Sequence, residues 1–232
     1  MNTQSNIKIT REQLAKMIEH TLLRPDATRS DIEKLCRDAV EHGFYSVVVN
    51  PSYVSLAVSL LKNTEVRVVS VVGFPFGSTL PKVKAFEAEQ VLKLGASEID
   101  MVINIGALKD HNYELVKKDI EGVIKVARKY NALVKVIIET CYLTDEEKVI
   151  ACKIAEEAGA DFVKTSTGFG TGGATIHDVE LMRKSISKHI GIKAAGGIRT
   201  AEQALAMIKA GATRIGASRS VEIINSLREQ RT

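Results

Sequence analysis

The chain has no tryptophan, only three cysteines and no long apolar run. Each absence closes off a class of protein. Aromatics make up 5% of the residues and no basic stripe is interleaved with them, so the stacking surface of a nucleic-acid binder is missing. The net charge of +4, from 32 basic and 28 acidic residues, is interspersed along stretches such as TDEEKVIACKIAEE and reads as solubility. Cys36, Cys141 and Cys152 are odd in number and show no C-x-x-C spacing. Neither a disulfide framework nor a zinc site follows from them, and no metal or cofactor is expected. No stretch approaches the roughly 18 apolar residues of a membrane helix. MNTQSNIKIT opens the sequence without the apolar core of a secretory signal. A cytoplasmic protein without membrane or nucleic-acid partners is expected. No Pro/Gly/Ser-rich linker or low-complexity tract divides the 232 residues, and a chain of this size buries roughly 70% of its extended surface. One domain over residues 1–232 is expected, with residues 1–8 as a flexible N-terminal extension.

What is present alternates strand and helix from end to end. Valine- and isoleucine-rich runs predict strands at 45–50, 66–73, 98–104, 134–140, 162–166, 192–197 and 213–218, with MIEHT at 17–21 as a weaker eighth. Helical patterns lie between them. DIEKLCRDAVEHG follows Ser30 as a candidate N-cap, and Thr144 with Glu147 and Thr200 with Gln203 have capping-box spacing. Gly95, Gly159 and Gly211 sit where helices stop and strands begin, the position that favours a left-handed cap. The strands are nearly continuous apolar runs, as parallel strands covered on both faces should be. Eight βα units in this length predict an α/β fold, a single-domain (β/α)8 TIM barrel. An open doubly wound sheet is the competing arrangement. It is weakened by the absence of G-x-G-x-x-G after the first strong strand.

In such a barrel, chemistry gathers at the C-terminal strand ends. The polar residues there include Thr21, Asn50, Asp100, Asn104, Glu139, Thr140, Lys164, Ser166, Lys193 and Ser218. Lys164 in DFVKTSTG and Lys193 in GIKAAGG each interrupt an apolar run and precede small residues. Either alone also reads as a snorkelling surface lysine. Two at matching depth on adjacent strands read as a site, because burial and a like-charged neighbour both lower a lysine pKa. A neutral lysine is a nucleophile suited to Schiff-base formation with a carbonyl. Asp100 is equally an ion-pair partner and a proton carrier. Glu139 and Thr140 fit a pocket wall, His20 a packed histidine, and the cysteines small core residues. Alternation along strand six turns Thr165 toward the helices. Gly196-Gly197, Gly216-Ala217-Ser218 and the glycines of STGFGTGG form flexible loops beside the lysines. Their backbone amides suit an anion, and no Gly-Lys-Ser/Thr of a Walker loop accompanies them.

Taken together, IEHTLLRPDAT, EIDMVINIGAL, KVIIET, DFVKTSTG, GIKAAGGIRT and RIGAS resemble, in order and over nearly the whole chain, the deoxyribose-phosphate aldolases. This is a class I, Schiff-base-forming family. The resemblance implies that Lys164 forms the Schiff base, Lys193 perturbs it and Asp100 relays protons. It places Gly168, Gly196, Gly197 and Ser218 at the phosphate, with the backbone N–H of Arg219, and Thr21 near the substrate hydroxyls. Glu19 stands where the family usually has aspartate and Val48 where many members carry cysteine. Phe169 stands where some carry a further phosphate-facing lysine, so recognition here should lean on backbone amides.

The implied reaction is reversible cleavage of 2-deoxy-D-ribose 5-phosphate to D-glyceraldehyde 3-phosphate and acetaldehyde, in deoxyribonucleoside catabolism. The iminium takes the place of a metal Lewis acid. The partners expected are this phosphosugar and further copies of the chain, in a homodimer or higher homo-oligomer. Two other readings stay open: a Schiff-base barrel aldolase for a different phosphosugar, and a phosphosugar-binding barrel without turnover.

Overall fold

The computed structural model describes residues 9–227; the segment 1–8, expected to be a flexible extension, lies outside the described residues. Eight parallel strands pair in chain order and the last returns to the first, closing a barrel. They are β1 (Ile18–Leu22), β2 (Ser46–Val49), β3 (Arg67–Val72), β4 (Glu98–Val102), β5 (Leu133–Ile137), β6 (Phe162–Lys164), β7 (Gly191–Ala195) and β8 (Arg214–Ala217). Closure is made by Ile18, Glu19 and His20 registering with Ile215, Gly216 and Ala217, so the weakest predicted strand is a full member. The open-sheet arrangement is thereby ruled out.

The helices are α1 (Arg11–Ala15), α2 (Arg29–His42), α3 (Val54–Leu61), α4 (Pro81–Lys93), α5 (Ile105–Lys109), α6 (Tyr113–Arg128), α7 (Asp145–Glu157), α8 (Ile176–Ser185), α9 (Ala201–Ala210) and α10 (Ser220–Ser226). None is long and apolar enough to cross a membrane. Thr144–Glu147 and Thr200–Gln203 form the expected capping boxes. Gly95, Gly159 and Gly211 take the left-handed φ values, 103°, 91° and 119°, that let each chain leave its helix toward the next strand. Ser30 is not the cap of α2. Thr28 is, because its hydroxyl accepts the Asp31 N–H while the Asp31 carboxylate takes the Thr28 N–H at 2.8 Å. Ser30 lies inside the first turn, where its hydroxyl has no such reciprocal partner.

Outward strand residues such as Val47, Val49, Ile99, Met101, Val134, Val136, Val163, Ile192 and Ile215 join the helices in one continuous core. Inward residues fall into two groups. Leu23, Val48, Val69 and Val71 make a small apolar cluster, and the rest of the wall, from β4 round through β8 to β1, carries charge. His20 packs against Phe44 with ring centroids 5.3 Å apart. Burial lowers its pKa to about 4, so it is a neutral packed ring, as the sequence suggested. Cys36 and Cys152 are buried in α2 and α7, and burial pushes their thiols up to about 11 and about 12.

Candidate active site

Parallel pairing brings the charged inward residues together inside the barrel. Lys164 registers with Lys193 across β6 and β7, and Asp100 with Lys135 across β4 and β5. Asp100 Oδ2 accepts from Lys164 Nζ at 2.8 Å and from Lys193 Nζ at 2.6 Å. Its other oxygen accepts from Lys135 Nζ at 3.1 Å. Lys193 also bonds Glu19. Lys135 lies 2.6 Å from Glu98 and 3.4 Å from Glu19. Arg214 closes the edge, 3.6 Å from Glu19, with its guanidinium stacked 3.5 Å over the Tyr45 ring. The Tyr45 hydroxyl donates to Glu98. Space for Lys193 depends on β8: a Cβ on Gly216 would lie 2.8 Å from Lys193 Cε.

The charges are not evenly shared. Three buried carboxylates, Glu19, Glu98 and Asp100, face three buried ammonium groups and Arg214. Leaving aside the exposed Arg67, 3.4 Å from Glu98, the set is neutral when one ammonium group gives up its proton. Lys135 touches three carboxylates, Lys193 two and Lys164 only Asp100. Burial alone would lower Lys135, but Asp100, Glu19 and Glu98 outweigh it and hold this lysine above its ordinary range. Burial would raise Asp100; the three lysines overcome it and keep the carboxyl well below the usual value. Lys164 goes the other way. Burial brings its pKa down to about 8, against the attraction of Asp100 and with help from Lys193. Of the two causes expected from the sequence, burial leads and like-charge proximity is secondary.

Gly168, Gly196 and Gly197 have left-handed φ values of 88°, 92° and 80°. Gly196 touches the loop after β6 directly: a Cβ on Gly173 would fall 2.4 Å from its carbonyl oxygen. Gly168, Gly197, Ser218 and Arg219 are exposed at the barrel rim. The Arg219 side chain pairs with Glu222 at 3.4 Å. Thr21 is half-buried and donates to the Glu19 carbonyl. Val48 is sealed in the apolar cluster, and Phe169 meets Phe74 edge-on at 5.4 Å. Thr165 bonds Ala195 through its hydroxyl, turned away from Lys164 as the alternation predicted. Asn104 does not extend β4 but caps α5, accepting the Ala107 N–H.

Lys135, Glu98, Tyr45 and Arg214 were not singled out in the sequence. For Lys135 the available signal was LVKVI, where a lysine follows a β-branched residue within an apolar run as in FVK and IKA.

The sequence matches the DeoC/LacD family aldolase profile over residues 14–222. The deoxyribose-phosphate aldolase of Thermococcus gammatolerans is 62% identical over 217 residues, covering 93% of this chain and 96% of that protein. That of Clostridium perfringens (strain 13 / Type A) is 58% identical over 213 residues, covering 92% and 95%. Among solved structures, the tetrameric deoxyribose phosphate aldolase of Aeropyrum pernix superposes with a TM-score of 0.88 at 37% identity, covering 94% of this chain and 92% of that one. With the barrel and its buried lysine pair, these matches show that the chain belongs to the DeoC/LacD family of aldolases.

Proposed function

We propose that this chain reversibly cleaves 2-deoxy-D-ribose 5-phosphate to D-glyceraldehyde 3-phosphate and acetaldehyde through a Schiff base on Lys164, in the deoxyribonucleoside catabolism of the cytoplasm. The observation that carries the reading is Lys164 itself, buried, held by one carboxylate and titrating at about 8. An ordinary lysine is almost wholly protonated near neutrality; this one has a usable amine fraction.

The amine adds to the open-chain aldehyde and water leaves, giving an iminium at C1. Loss of the C3 hydroxyl proton lets the C2–C3 electron pair move into the iminium, and the triose aldehyde departs. The resulting enamine is protonated at C2, water adds back to the imine, and acetaldehyde and free Lys164 are released. Asp100 and Lys193 handle the protons, since Asp100 Oδ2 bridges both ammonium groups. Backbone amides of Gly168, Gly196, Gly197, Ser218 and Arg219 hold the phosphate, and Thr21 lies by the sugar hydroxyls. The chain acts as a homodimer or higher homo-oligomer, a reading supported by the tetrameric Aeropyrum pernix relative.

The test is borohydride trapping with deoxyribose phosphate, beside an assay for the two aldehydes. Unaltered protein should acquire one adduct and release both products. Lys164→Ala and Lys164→Arg should do neither, since guanidinium stays protonated. Full trapping in the alanine variant removes Lys164 from its role.

A further inference from the structure

Glu139 ends β5 in an unusual way. It is one of three non-glycine residues with positive φ among the described residues, at 54°, and its side chain is almost fully buried. A left-handed glutamate costs free energy that the surroundings must offset. The ladder explains what is gained. Past Lys164 the chain stays zipped to β5 through Ile138 N–H to Lys164 O and Thr140 N–H to Thr165 O. Beyond that point β5 has turned into a 3-10 turn, Thr140–Tyr142, with Glu139 as its cap. The Glu139 carboxylate then takes over as the partner strand. It accepts the Thr167 N–H at 3.2 Å on each oxygen, and also the Thr167 hydroxyl. That hydroxyl in turn accepts the Phe169 N–H at 3.0 Å.

Thr167–Phe169 is thus held by one carboxylate, with Gly168 in its middle. The far end of the same loop is fixed separately: Ala174 N–H reaches both Ala195 O and Gly196 O at 3.1 Å. The loop has little slack between, because a Cβ on Gly170 would sit 2.7 Å from Cys141 Sγ and 3.3 Å from the Glu139 carboxyl carbon.

We propose that Glu139 is a positioning residue for the phosphate end of the site, setting the backbone that carries the Gly168 amide rather than touching substrate. This rests on the phosphorylated-substrate reading given above. Its left-handed backbone and its carboxylate can be tested apart. Asparagine tolerates the backbone but is one methylene too short to reach Thr167. Glutamine keeps the length and can still accept through its carbonyl oxygen.

The experiment measures kcat and KM for 2-deoxyribose 5-phosphate and for unphosphorylated 2-deoxyribose, with calorimetric titration of inorganic phosphate. Glu139→Asn and Glu139→Ala should raise KM for the phosphorylated sugar and weaken inorganic phosphate by about tenfold or more, with kcat held within about threefold. KM for the free sugar should move by less than about twofold, and Glu139→Gln should stay within about threefold of the unaltered protein throughout. Equal effects on both sugars, or glutamine as damaging as asparagine, overturn the proposal. If the unaltered protein turns over no deoxyribose phosphate, the substrate reading fails by itself. The phosphate titrations then decide: unchanged binding in the asparagine variant sinks the role of Glu139, and weakened binding upholds it.

Discussion

Lys193 holds two carboxylates in place, Glu19 and Asp100, and stands in register with Lys164. Removing its charge acts on Lys164 twice. A like charge is lost, and the Asp100 carboxylate is left free to hold the Lys164 ammonium group. Both raise the Lys164 pKa, while the leading cause of its depression, burial, is untouched. Lys193→Leu should therefore shift the limb of the pH–rate profile that reports free amine upward from about 8, without restoring an ordinary lysine. The variant should also have a lower urea midpoint, because two buried carboxylates each lose one of their partners. A profile unchanged in position would show that Lys193 acts only in proton transfer.

At the scale of elements, helix ends and strand ends do different work. The α7 cap is built from near neighbours: the Thr144 hydroxyl accepts the Glu147 N–H and the Glu147 carboxylate accepts the Thr144 N–H at 2.8 Å, while also taking Lys109 of α5 at 2.6 Å. Thr144→Ala should cost about 1 kcal/mol in a urea titration and leave kcat unchanged, because Thr144 is exposed and its hydroxyl bonds only within the first turn of α7. An equal loss of kcat would mean that helix packing sets the lysine positions more tightly than this arrangement implies. The strand ends, in contrast, are tied to one another. Glu139 at the end of β5 grips the loop after β6, and that loop packs on Gly196 after β7.

For the whole molecule, the ionic wall makes stability depend on pH with a definite sign. Asp100 and Glu98 are held below their ordinary values of 3.8 and 4.5. As pH falls, the unfolded chain binds these protons before the folded one does. Their contribution is present above about pH 5 and is lost as pH drops through the ordinary values toward the folded ones. Lys164 adds a slope of the same sign on the alkaline side. Unfolded, it keeps its proton to 10.5; folded, only to about 8; stability gains with rising pH between the two. Urea midpoints should rise with pH through the acid range and again between about 8 and 9; above about 9 the buried Cys36 and Cys152 thiols, which keep protons that unfolded thiols give up, act with the opposite sign. Asp100→Asn should flatten the acid arm, and a parallel curve for that variant would place the acid sensitivity elsewhere.

The barrel was legible in the chain before folding, because eight apolar runs separated by capped helices admit few parallel arrangements. So was the lysine pair, since FVK and IKA put both side chains on the same face of neighbouring strands. Local chemistry was enough for the Thr144 and Thr200 caps and for the left-handed glycines. It was not enough to choose between Thr28 and Ser30, where reciprocal bonding with Asp31 decides. The charge partition inside the barrel depends on folding. Glu19 on β1, Glu98 and Asp100 on β4 and Lys135 on β5 are far apart in the chain and meet Lys164 and Lys193 only when β8 closes onto β1. Which lysine is left with one carboxylate, and so loses its proton most easily, is a property of distances across that closed barrel.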